Sequence, residues 1–264
     1  TEIANIPKAG KPLNAADWIE LTNEGLVNAG ATQAEIDNIM NGFGANTDVD
    51  TDWLDLVTRR GDQQQINVSA SGGSDKTTYY LSGGYFNQQA PVISSDFKRY
   101  SGTFNLTNKF SQRVSVSTNL TMSQVKQHTP LAGGFFANPM DAVYFLRPMQ
   151  NPYNADGTLN ISRAGNTNFP ADFNPLYIDQ NDINLLNNFK ILGNISGEVK
   201  ILDNLKFTTR YGVDYINLTE ELYDNPFHGD GRTAGGRSYF YYRKIFNWVW
   251  SNQLDYRHYV GGKD

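Results

Sequence analysis

From Gly61 onward the chain alternates apolar and polar side chains with a period of two, in seven separate runs. Ile66, Val68 and Ala70 form the first. Tyr79, Leu81, Gly83 and Tyr85 form the second, Tyr100, Gly102, Phe104 and Leu106 the third, and Val114, Val116, Thr118, Leu120 and Met122 the fourth. After a long break come Phe189 to Ile201, Phe207 to Tyr215, and Phe246, Trp248, Trp250, Leu254 and Tyr256, each taken at every second position. A period of two puts the sets on opposite faces of an extended strand. The runs are about 11–13 residues long, whereas globular strands average roughly 5–6 and a tilted membrane strand needs about 9–11.

The polar face decides between a soluble sandwich and a membrane barrel. A soluble exterior is rich in Lys and Glu, but here the polar positions are Asn, Ser and Thr. Charged residues make up 19% of the chain, against roughly 25% in an average soluble domain. Neutral polarity replaces them: there are 29 Asn, beside 24 Gly, 15 Tyr and 15 Phe. The connections alternate too. Gly72–Asp75, Ser111-Gln112 and Asp203-Asn204 are tight, whereas Gln88–Asp96, 126–187 and 218–238 are long. Aromatic residues gather near the ends of the runs, at Tyr79, Tyr85, Tyr100, Phe110, Phe240, Tyr242 and Tyr256. Short turns at one end, long loops at the other and aromatic girdles are the pattern of an outer-membrane meander. The expected fold is all-β, an antiparallel transmembrane β-barrel segment of about seven strands with short helices in extracellular loops. Leu106, Val116, Leu120, Ile191, Ile195, Phe246, Trp248 and Trp250 are expected to face lipid, with the Asn/Ser/Thr face lining a wet interior.

The organisation follows. Residues 1–62 are an extracellular loop region with two short helices, 63–125 hold four barrel strands, 126–187 form a long extracellular loop, and 188–264 hold three further strands. In the first region Asp17–Asn28 is a helix with Asp17 as a plausible cap. Thr32–Met40 is a second, with Thr32 and Glu35 at capping-box spacing.

Several chemistries find no support. A net charge of −5 leaves no footprint for nucleic acid. With zero Cys there is no disulfide, thiolate nucleophile or cysteine-based metal site. His128, His228 and His258 are isolated, so neither a catalytic nor a cofactor-binding set is expected. Asp48, Asp50, Asp52 and Asp55 have calcium-loop spacing, but Trp53 and Arg59 stand where an EF-hand needs Gly and Glu; a solvated acidic loop is the better reading. Six Asn-x-Ser/Thr sequons begin at Asn67, Asn105, Asn119, Asn160, Asn194 and Asn217; with apolar middle residues they reflect strand alternation. The longest apolar run, Ala142–Leu146, is too short for a membrane helix. The opening Thr1-Glu2-Ile3 carries no signal-peptide pattern, so the expectation is a cleaved leader or an internal piece of a longer chain.

The 126–187 stretch holds the candidate contacts for substrate or partner: Phe135, Phe136, Asn138, Tyr144, Tyr153 and Asn154, with Arg210 on the wet face. Aromatic faces stack on sugar rings and amides bond hydroxyls, so a glycan or peptide site is chemically sensible there. Packing of the loop on itself or on a partner protein explains the same residues. Asp141–Leu146 is expected to form a helical turn. Arg210, Asp214, Asp255 and Arg257 are either channel groups or cross-strand ion pairs.

Gln65–Tyr100, with Thr51–Asp55 and Arg60-Gly61 before it, resembles the SusC/RagA family of TonB-dependent outer-membrane transporters. The matching pieces are Ser71–Thr77, Tyr79–Ser82, Gly84-Tyr85 and Ser95–Tyr100, in the same order and spacing. The resemblance is strong over about 50 residues and weaker beyond. It implies a 22-stranded barrel with an N-terminal plug, capped by a SusD-like surface lipoprotein and embedded in membrane lipid or lipopolysaccharide. It further implies uptake of oligosaccharides or oligopeptides driven by TonB–ExbBD. No plug, TonB box or closing aromatic strand is visible, so the chain reads as a fragment beginning within the first extracellular loop. Two other readings stay open: a non-energised outer-membrane barrel or adhesin, and a secreted β-sandwich binding module.

Overall fold

A computed structural model describes residues 2–4, 10–130, 138–161 and 173–258, with side chains from residue 10 onward. Its centre is one antiparallel sheet in sequential order, β1 to β8. β1 (Glu2–Ala4) is a short edge strand on β2 (Gly61–Gly73). There follow β3 (Thr77–Gln89), β4 (Asp96–Lys109), β5 (Val114–His128), β6 (Ile183–Leu202), β7 (Leu205–Asp224) and β8 (Arg237–Tyr256). The seven long strands are the seven alternating runs.

The register tests the face assignment directly. Leu106 stands opposite Thr118, Leu120 opposite Phe104 and Gly193, and Val116 opposite Gly197. Ile191 and Ile195 oppose Tyr215 and Tyr211, which in turn oppose Phe246 and Trp250, and Trp248 opposes Val213. All eight expected lipid-facing residues therefore share one face of one sheet. Asn67, Thr103, Asn119, Asn194 and Arg210 lie on the other. Some polar groups on the apolar face are internally paired: Trp250 Nε1 donates to Thr209 Oγ1 at 2.9 Å, and that hydroxyl donates to Asn252 Oδ1 at 2.8 Å. Hydrogen-bonding each other keeps their burial in hydrocarbon inexpensive.

The ladders run further than the alternation predicts, to 20 residues in β6, β7 and β8. The apolar alternation ends near Phe189, but backbone pairing continues beyond it through Asn187, Asn188, Glu220, Glu221 and Arg243. Hydropathy reads the extent of the apolar face and not the strand boundary. The loops shrink accordingly, to 90–95, 129–182 and 225–236.

At the opposite end the turns are tight. Ser74 Oγ accepts from the N–H groups of Lys76 and Thr77, and Ser111 Oγ from those of Arg113 and Val114. The first turn falls at Ser74–Lys76, because Gly72 and Gly73 remain in β2. The ring of its partner Tyr79 lies across Gly72, and a Cβ there would sit 2.6 Å from the phenol oxygen, so a larger residue would displace the ring.

The buried apolar core is not in the sheet. Trp53, Val57, Ala142, Val143 and Leu146 form it, with Leu54, Leu56, Ile93 and Met140 packed around. These residues come from three segments at the long-loop end. α3 (Trp53–Val57) and α4 (Pro139–Phe145) face each other, and the 90–95 loop joins them through Ile93 N–H to Val57 O at 3.0 Å. α1 (Ala15–Asn28) and α2 (Gln33–Gly42) sit beside this cluster, with Trp18 edge-on to Phe43. Thr32 and Glu35 complete the expected capping box. Asp17 is not the cap of α1. Asn14 is, accepting from Asp17 N–H at 2.8 Å, because α1 begins two residues earlier than its apolar stripe.

Candidate functional site

The candidate residues fall on two parts of the chain: the polar face of the sheet and the helical lid over its long-loop end. On the polar face a concavity of about 460 Å³ is lined by Asn119, Asn194, Arg210, Asp214 and Asn247, with Leu192 and Val249 between them. Strands β5 to β8 build it because these residues fall at alternate positions on one face. Asp214 lies 3.9 Å from Lys190 Nζ, and its Oδ1 is buried without a hydrogen bond. Arg210 stands between Ser196 and Ser251 and has no carboxylate within ion-pair distance among the described residues. Lower down, Lys206 reaches Glu198 at 3.1 Å and Asp255 at 4.0 Å. Asp255 is thus in a cross-strand ion pair, whereas Arg210 is open to the interior.

The lid is locked by asparagines. The chain holds four Asn-Pro dipeptides, at 138–139, 151–152, 174–175 and 225–226. In each, the Asn side-chain oxygen accepts the N–H two residues on, from Met140, Tyr153, Leu176 and Phe227. Asn138 and Asn174 thereby N-cap α4 and α5 (Pro175–Asn181), with proline preset in the first turn. Asn154 closes a tight turn, donating to Thr158 Oγ1 at 2.9 Å. Asn138 and Asn154 thus bond within the lid itself, Asn138 to the Met140 N–H and Asn154 to the Thr158 hydroxyl. The sequence reading missed this use, and the Asn-Pro spacing was the signal available for it.

Around these turns lies a buried polar knot that sequence reasoning also missed. Asn174 Nδ2 donates to the carbonyls of Pro152 and Asn160, and Asn174 N–H donates to His228 Nε2 at 2.6 Å. His228 is 2% exposed, edge-on to Phe173 and Tyr177. Asp182 Oδ1 accepts from Asn225 N–H and Nδ2, while its Oδ2 is buried without a partner. The knot ties α5, the 151–160 turn and the 225–236 loop into one piece. Ser94, in the left-handed region at φ +58°, adds the 90–95 loop by bonding Asp179.

Burial raises the Asp182 pKa above the usual carboxylate value, and Asp224 and Asp230 push the same way against the two Asn225 bonds. A group raised on folding stabilises the fold fully below its unfolded pKa and loses that contribution as pH climbs through the folded one. The lid is therefore expected to loosen as pH rises through the raised Asp182 pKa. Asp182→Asn keeps the Oδ1 acceptor and removes the charge, so it should flatten this dependence. Hydrogen exchange of the Asn225 amide at a series of pH values checks it.

The acidic 48–55 stretch is more structured than a solvated loop. Asp50 accepts Ala15 N–H at 2.8 Å. Asp52 caps α3 and pairs with Lys11 at 2.9 Å. Burial alone would raise the Asp52 pKa, but the Lys11 contact and the Asp55 N–H outweigh it and hold it low. Among the described residues no cluster of His, Asp or Glu is arranged to hold a metal ion.

Of the expected contact residues, Tyr144 and Tyr153 are open to solvent, 58% and 43% exposed. Tyr144 borders a second hollow of about 310 Å³ between α4 and the Gly10–Leu13 segment. Phe135 and Phe136 lie outside the described residues. The lid residues and Arg210 occupy two different levels, one above the sheet and one on its inner wall.

No protein-family model matches the chain. Among characterised proteins it is 28% identical to TonB-dependent receptor P3 of Formosa agariphila, over 78% of this chain and 21% of that protein. It is 24% identical to TonB-dependent receptor SusC of Bacteroides thetaiotaomicron, over 67% of this chain and 19% of that one. The chain thus spans about a fifth of the relatives it matches. Its fold superposes on the RagAB peptide transporter with a TM-score of 0.72 and 18% identity, covering 99% of this chain and 32% of that one. A RagAB peptide importer in an open-open state gives 0.67, at 97% and 31% coverage. The matched proteins are named as receptors and transporters, and none as an enzyme.

Proposed function

On the premise that the chain is part of a SusC/RagA-type TonB-dependent transporter in the outer membrane, we propose that it supplies one wall and part of the lid of an oligopeptide uptake channel. The observation that carries the reading is the division of the molecule. A continuous apolar face and a polar face share one sheet, and among the described residues the buried apolar core lies above the long-loop end. A sheet with no core of its own is stable where lipid covers one side. β8 ends the sheet order, so its 20-residue outer edge calls for further strands, since unpaired backbone is not tolerated in hydrocarbon.

The charge pattern of the wall supports peptide. Arg210 offers an exposed guanidinium to a carboxylate, in a concavity also lined by Asp214, whose carboxylate lies 3.9 Å from Lys190 Nζ. The exposed rings of Tyr144 and Tyr153 favour a second reading, an oligosaccharide stacking on the lid. Transport is driven through TonB, and a SusD-like lipoprotein covers the lid. Uptake of labelled oligopeptides by cells with and without the gene, before and after a protonophore, tests both substrate and energy. Loss of peptide uptake on deletion and on collapse of the proton gradient is expected. Uptake that survives the protonophore contradicts energised transport, and loss of oligosaccharide uptake alone selects the second reading.

A further inference from the structure

The outward face carries a feature that neither transport nor barrel closure uses. Lys98 on β4 and Lys126 on β5 stand directly opposite each other in the register, on the apolar side of the sheet. Both are exposed, and among the described residues neither forms an ion pair to a carboxylate. Their neighbours in the same cross-strand row are Asn87 on β3 and Asn187 on β6. The nearest acidic position on that face, Asp96, lies against His128 at 3.8 Å. Lys244, also facing outward, sits instead over the Tyr215 ring at 5.7 Å. Like charges directly opposite in a sheet repel. Such a pair is stable when an anion bridges it.

The position of the pair identifies the anion. Below Lys98 the outward residues of β4 are Tyr100, Gly102, Phe104 and Leu106, and polarity returns at Asn108. Ten residues of strand cover roughly 34 Å. At the usual barrel tilt this is a height of about 25 Å, that of an outer-membrane apolar band. Lys98 and Lys126 therefore stand at its upper edge, toward the long loops. The next outward row below them holds Tyr85 and Tyr100, ring centroids 5.2 Å apart, as an interface girdle would. We propose that Lys98 and Lys126 form a binding site for the phosphates of lipopolysaccharide in the outer leaflet, flanked by the Asn87 and Asn187 amides and with acyl chains lying on the rings below. The site rests on the outward assignment of the apolar face and is independent of what the channel carries.

The test uses the whole transporter extracted from its own outer membrane. Each lysine removed near an anionic headgroup weakens retention about fivefold. Lys98→Gln and Lys126→Gln are each expected to lower co-purifying lipopolysaccharide by that factor, with Arg at either position restoring it. Lys76→Gln, at a tight turn on the far side of the membrane, should change nothing. In nanodiscs the unaltered protein should retain bisphosphorylated lipid A over dephosphorylated lipid A, which needs no variant. Equal retention of the two lipids, or equal loss in Lys76→Gln, overturns the proposal. Complete displacement by millimolar inorganic phosphate also overturns it, by marking a free-anion site. Unchanged membrane localisation of the variants separates failure of the site from failure of the barrel assignment.

Discussion

Leu120→Arg is expected to block assembly of the barrel, whereas Thr121→Arg one residue on is expected to be tolerated. Leu120 faces outward between Phe104 and Gly193, and it leans over that glycine closely enough that a Cβ there would lie 2.9 Å from its Cδ1. It is near the middle of the apolar stretch of β5, which runs from Val114 to Met122. An arginine at the membrane midplane costs about 2–4 kcal/mol on the lipid face of a barrel. Thr121 points to the polar interior and borders the concavity, where a guanidinium stays hydrated. Heat-resistant gel mobility and abundance in the outer-membrane fraction give the readout. Equal loss in both variants is incompatible with opposite faces.

The second large effect lies above the membrane. Trp53→Ala should open the lid while leaving the strands intact. The ring is 2% exposed among Val57, Ala142, Val143 and Leu146, and its Nε1 donates to Arg147 O at 3.0 Å. Large aromatic truncations of this kind cost about 3–5 kcal/mol. The loss falls on a cluster of a few residues and not on a whole-domain core. Trp53→Phe keeps most of the packing and loses the indole bond, worth about 1 kcal/mol. Hydrogen exchange should report fast amides at Thr51, Ile93 and Leu146 in the alanine variant, which are bonded to Pro148, Val57 and Ala142 in the native lid. Protection in β2 to β8 should be unaltered. Retained protection at those three amides contradicts a lid held by Trp53.

What the sequence disclosed follows from where its physics is local. A period of two is set residue by residue, so the seven strands and the division of their residues between two faces were legible, down to the opposite sides taken by Trp248 and Asn247. The strand ends were not, because hydropathy changes at the membrane edge while the ladder of β6, β7 and β8 continues. The capping box of Thr32 and Glu35 was legible for the same local reason, and the cap of α1 was misplaced because Asn14 precedes the apolar stripe. In the long loop the asparagines suggested ligand contacts by their chemistry alone. Asn138, Asn154 and Asn174 instead hold turns and helix starts, and the partners of Asn174 (Pro152, Asn160 and His228) come from distant segments that no local pattern brings together. The knot at His228 and Asp182 was invisible for that reason.

The most direct measurement is a cysteine scan along β8, which is practicable because the chain has no Cys of its own. Single cysteines at 246 through 251 would be exposed to a membrane-impermeant maleimide in the detergent-extracted protein. Labelling at Asn247, Val249 and Ser251, with protection at Phe246, Trp248 and Trp250, is the predicted result. Uniform labelling, or the reverse alternation, would contradict a lipid-facing stripe and with it the barrel.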